Sequence, residues 1–67
     1  MEFWEWEPLM FYVIYNPDTK LYYYEGDWVS YNVAEQFKEP SPAILANIKK
    51  ELPNIRWVGP CRVGEEP

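Results

Sequence analysis

The sequence contains no histidine and a single cysteine, Cys61. The first absence removes the commonest general base near neutral pH. The second means that no disulfide can form within the chain. Together they leave no ordinary zinc set, since a site would need carboxylates and one thiolate. Glycine is confined to Gly26, Gly59 and Gly64, too few and too scattered for a phosphate-cradling loop. The longest apolar run, residues 9–15, is far short of the roughly 20 residues that span a bilayer. The opening residues are acidic and lack the basic start of a signal peptide. A free thiol with no partner fits a reducing cytoplasm. These absences argue against an enzyme, a cofactor, a metal and a membrane.

The chain has 67 residues, which make one domain at most. A fold of this size buries only about 60% of the surface its unfolded chain exposes, and small folds usually need a disulfide, a metal or a second subunit. Aromatic residues are abundant instead: four Trp, six Tyr and three Phe, thirteen rings in all. A buried ring removes roughly 150–250 Å² from water, so a core this small cannot hold them all. Partly exposed rings either cover a sheet face with their hydroxyls in water or form an interface. The net charge is −5 and is unevenly spread. Residues 1–40 carry eight carboxylates against Lys20 and Lys38, a balance of −6, whereas residues 41–67 balance at +1. A charge of this size can simply maintain solubility. It also repels phosphate backbones, which disfavours direct nucleic-acid binding, and attracts basic surfaces.

After Phe3, from Trp4 to Glu7, aromatics alternate with acids, which predicts an extended segment. Pro8 interrupts ladder bonding, so residues 1–8 read as an edge strand or an arm. Residues 9–15 are apolar at every position and rich in β-branched and aromatic side chains, as in a central strand covered on both faces. Asn16-Pro17-Asp18-Thr19 predicts a type I turn, and residues 20–25 the return strand of a hairpin. Gly26-Asp27 makes the next turn, and residues 28–31 form a short third strand or an irregular anchor. Asn32 is placed to cap a short helix over residues 33–38, which Glu39-Pro40 stops. Ser41 caps a clearer helix with Pro42 at its first position, and Ile44, Leu45, Ile48 and Leu52 follow the spacing of one buried stripe. Pro53 ends it. Residues 55–58 form a last strand, Gly59-Pro60 breaks it, and residues 61–63 resume. Residues 64–67 form a loose tail. The expected class is α+β: a small antiparallel sheet of three to four strands, one main helix packed on one face, and a second short helix.

Little in the chain carries catalytic chemistry. Cys61 has no basic neighbour except Arg62, and a reactive thiolate needs an electropositive setting. The pairs Glu5/Glu7 and Glu25/Asp27 would each share a strand face, as a hard cation or a two-carboxylate hydrolysis requires. Solvated edge charges that block unwanted strand pairing explain them as well.

Two runs rise above this background. One holds Glu2, Trp4, Glu5, Trp6 and Glu7. The other holds Tyr22, Tyr24, Glu25, Asp27 and Trp28, with Asp18 nearby. Arginine can pair with a carboxylate and stack on a ring at once. These eleven residues are therefore the candidate partner-binding set, and the expected partner is a basic protein or nucleoprotein complex whose nucleic-acid site the acidic surface occupies. The alternative is a small homo-oligomeric protein, for instance a homodimer, whose aromatics form the subunit interface.

The run Val13-Ile14-Tyr15-Asn16-Pro17-Asp18-Thr19-Lys20-Leu21-Tyr22, then Gly26-Asp27-Trp28, then Ala34-Glu35-Gln36-Phe37, resembles a layout found in small bacterial and phage proteins. There a hairpin turning at Pro-Asp precedes a Gly-x-Trp, a short helix and a second helix. Thr19 stands where such turns often carry glycine. In size, acidity and lack of catalytic residues the chain also resembles phage-encoded inhibitors of bacterial defence, the anti-CRISPR proteins, among which acidic members imitate nucleic acid. That resemblance implies a non-enzymatic inhibitor acting in the cytoplasm of a bacterial host.

Overall fold

The computed structural model describes residues 10–62. Four antiparallel strands form one sheet: β1, Met10–Asn16; β2, Leu21–Tyr24; β3, Asp27–Val29; and β4, Arg56–Arg62. Their order is β3-β2-β1-β4, so the apolar strand β1 is central, as its composition predicts. Val13 and Ile14 point to opposite faces, and both are fully buried. On one face Phe11, Val13, Ala34 and Cys61 form a buried cluster, with Tyr22, Tyr31 and Val58 packed against it. On the other, Ile14 pairs with Trp57 across the β1–β4 ladder, and Trp57 meets Phe37 edge-on at 5.1 Å between ring centroids. Full burial of one Val or Ile contributes about 1.5–3 kcal/mol, so β1 anchors the fold from both sides.

The first hairpin forms as expected, with a longer turn. Asn16 pairs with Leu21, leaving Pro17, Asp18, Thr19 and Lys20 in the loop. The Lys20 N–H donates to the Asn16 carbonyl at 2.7 Å, and the Asp18 N–H donates to the Asn16 side-chain oxygen at 2.9 Å. Lys20 takes φ 63° and so leaves the strand, which starts one residue later than the sequence predicts. The second turn is also displaced by one. Tyr24 pairs with Asp27, so the turn residues are Glu25 and Gly26, at φ 44° and 89°. Two positive φ values in a two-residue loop match the twist of an antiparallel hairpin.

The helix expected over residues 33–38 does not form. Tyr31–Val33 make one 3-10 turn, and the chain then runs extended. Glu35 N–H donates to the Tyr23 carbonyl at 2.9 Å, and Phe37 exchanges two bonds with Tyr12, at 2.9 and 2.7 Å. This segment is therefore bonded to both β2 and β1. Partners distant in sequence satisfy its backbone, and so outcompete a helix of fewer than two turns.

The main helix, α1, spans Pro42–Lys49. The Ser41 side chain accepts from Ile44 N–H at 3.4 Å, and Pro42 occupies the first turn, as predicted. Its packing differs from expectation. α1 contributes no buried residue. Ile44 is 37% exposed, while Leu45, Ile48 and Leu52 are half-buried. The last strand also differs, running unbroken through Gly59-Pro60. Phe11 pairs with Cys61 and Val13 with Val58, so Gly59 and Pro60 together oppose Tyr12 in a β-bulge. A bulge absorbs the proline, which donates no ladder bond. Among the described residues no helix is long and apolar enough to cross a membrane.

Candidate functional site

Antiparallel register decides which of the expected binding residues meet. Tyr22 and Tyr24 lie on one face of β2, and Asp27, opposite Tyr24, shares that face. Trp28 pairs with Tyr23 and belongs to the other face, where the two rings meet edge-on at 5.7 Å. Glu25 stands in the turn between β2 and β3, so Glu25 and Asp27 do not project from one strand face as their spacing predicts. Tyr24, Glu25 and Asp27 are all exposed, and Tyr24 retains 41% of its accessible surface. These three form one contiguous group of ring and carboxylates. Asp18 is exposed at the opposite end of β2, where the Asn54 amide lies 3.4–3.5 Å from its two oxygens. Glu2, Trp4, Glu5, Trp6 and Glu7 lie outside the described residues.

Tyr22 is half-buried and belongs to an aromatic row. Its ring centroid is 5.0 Å from that of Tyr15 and 5.2 Å from that of Tyr31. The Arg56 guanidinium lies 5.5 Å from the Tyr15 ring centroid. Tyr15 and Tyr31 carry no signal in linear spacing, because cross-strand pairing and the 3-10 turn bring them to Tyr22.

A groove of ≈ 640 Å³ runs between α1 and the sheet. Tyr23, Phe37, Ala43, Ile44 and Ile48 give it an apolar lining, with Glu25, Glu35 and Lys50 also on its border. Glu35 is held there by a local device: its Oε1 accepts the Glu25 N–H at 3.1 Å. No linear pattern signals this pairing, since Glu35 reaches the turn only through the extended segment that replaces the expected short helix.

The charge of the described residues is balanced, with six carboxylates and six cationic side chains. The net −5 therefore comes from Glu2, Glu5, Glu7, Glu65 and Glu66. The balanced part is polarised: Glu25 and Asp27 sit at the β3 side of the sheet, and Arg56 and Arg62 lie on β4 at the opposite edge. Among the described residues no three of Cys, Asp and Glu approach closely enough to hold a metal ion. Cys61 is buried, and its Sγ lies 3.6 Å from the Val58 carbonyl oxygen. No family model, no curated protein and no solved structure matches the chain.

Proposed function

We propose that this protein acts by binding, without catalysis, as an inhibitor of the phage anti-defence type. It presents carboxylates and aromatic rings to a basic protein surface of the kind that holds nucleic acid. The observation that carries this reading is the group at the β2–β3 turn, where the exposed Tyr24 ring lies across from Asp27 and beside Glu25. An arginine can stack on such a ring while pairing with the adjacent carboxylates. The surplus of acid on residues 1–9 and 63–67 supports the same reading, because it adds long-range attraction toward a positive partner.

The test is capture of tagged protein from nuclease-treated bacterial lysate, followed by elution with DNA or RNA. A basic nucleic-acid-binding protein is expected in the eluate. Simultaneous reversal of Glu5, Glu7, Glu25 and Asp27 to lysine is expected to lose it while circular dichroism stays unchanged. Retention that is indifferent to salt, as the screening length shrinks from about 10 Å to about 3 Å, refutes an electrostatic encounter.

A second reading is a homo-oligomer whose exposed aromatics form the subunit interface, to which the Tyr24 ring, 41% exposed, is available. Sedimentation that finds only monomer at micromolar concentration excludes it.

A further inference from the structure

The groove beside α1 lies on the Tyr23 side of the sheet, opposite the face of Tyr24 and Asp27, and shares with their group only Glu25, which stands in the turn. α1 buries none of its residues, so the fold leaves Ala43 and Ile44 exposed next to the rings of Tyr23 and Phe37. Its volume of ≈ 640 Å³ is enough for one or two side chains of a bound segment. At one border, the Glu35 carboxylate accepts the backbone N–H of Glu25, and both acidic residues line the groove. Neither forms an ion pair with any cationic side chain among the described residues. Two unpaired like charges beside an apolar groove are complementary to a cation carried on an apolar chain. Lys50 also borders the groove, so a uniformly basic ligand would meet a like charge there. A single cation placed at Glu25 and Glu35 avoids it.

We infer that this groove docks a linear segment of a basic protein partner. An aliphatic or aromatic side chain sits among Ile44, Phe37 and Tyr23, and an adjacent arginine or lysine reaches Glu25 and Glu35. The inference rests on the reading of the protein as a binder of basic proteins, and it adds a second contact with its own sequence requirement.

The probe is a short capped peptide of leucine and arginine, titrated into isotopically labelled protein and followed through backbone amide shifts. A matched peptide with glutamate in place of arginine serves as control. Saturable shifts centred on Glu35, Phe37, Ala43 and Ile44 are expected with the arginine peptide alone. Glu35→Gln keeps an oxygen for the Glu25 N–H, and is expected to weaken binding by about tenfold, the size of one charge-assisted contact. Ala43→Arg, at an exposed position, is expected to do the same without touching the core. Equal binding of the glutamate peptide overturns the inference. So does a response confined to Tyr24 and Asp27, which leaves the broader reading of a basic partner intact. No response to any arginine peptide defeats both.

Discussion

Replacing Gly59 with alanine is the sharpest test of the packing around β1. A Cβ at Gly59 would lie 2.7 Å from Tyr12 Cδ2, 3.2 Å from Tyr12 Cε2 and 3.0 Å from the Phe11 carbonyl oxygen. The ring can rotate away from the first two contacts. The carbonyl cannot, because Phe11 is paired with Cys61 in the ladder. Overpacking of this kind costs about 1–3 kcal/mol. Gly59 also has φ 148°, a conformation that alanine adopts only at a further cost of order 1–3 kcal/mol. The combined loss of roughly 2–6 kcal/mol is comparable to the whole stability expected of a chain this size, at about 0.05–0.15 kcal/mol per residue. Each kcal/mol lowers Tm by roughly 4–8 °C in a domain of this length, so Gly59→Ala is expected to melt at least about 8 °C lower or not to fold. Gly26→Ala is the control. Gly26 has φ 89°, and a methyl group there would meet nothing within 4 Å, so it loses only the conformational part, about 1–2 kcal/mol. Thermal unfolding followed by tryptophan fluorescence and circular dichroism separates the two. A Gly59→Ala variant that melts no lower than Gly26→Ala would show that the bulge yields freely, and would refute the steric argument.

Two further substitutions probe the turns. Glu25 holds φ 44°, where asparagine is favoured over glutamate in a two-residue hairpin loop; Glu25→Asn is expected to raise stability by about 0.5–1 kcal/mol, and a lower Tm contradicts this. Asn16 is 2% exposed and its side chain accepts the Asp18 N–H, so Asn16→Leu leaves that turn donor without its acceptor and is expected to cost about 1–3 kcal/mol; a neutral result in urea unfolding would show that water replaces the bond.

The parts of the fold legible in the sequence are those whose determinants are local. Residues 9–15 announce a central strand because they are apolar at every position, on both faces. Ser41-Pro42 announces a helix start because cap and first turn are contiguous. Two of the larger differences depend on partners distant in sequence, and the shifted turns depend on which residues take the left-handed region. Residues 33–38 follow Asn32, a cap that suits a short helix, yet the backbone of Glu35 and Phe37 bonds to Tyr23 and Tyr12. Gly59-Pro60 reads as a break, yet Tyr12 opposite lets the strand continue as a bulge. The second turn lies one residue earlier than Gly26-Asp27 suggests, because the register of Tyr24 with Asp27 places Glu25 in the left-handed region beside the glycine. For the candidate site, the aromatic and acidic residue types are visible in the sequence, but their distribution over two faces follows from strand pairing. Glu35 and the groove cannot be read there at all, because both depend on the extended segment crossing from β2 to β1.

The central place of β1 has a consequence for biosynthesis. One neighbour, β2, follows it at once, but the other, β4, pairs Arg56 with Tyr15 and Arg62 with Met10 only after most of the described chain has been made. Until β4 has left the ribosome and paired, β1, with Phe11, Val13 and Ile14, has one open edge, the usual template for unwanted association. Overproduction at high temperature, where translation crowds such nascent chains together, is therefore the condition under which this protein should form inclusion bodies, and slower synthesis in the cold should recover it.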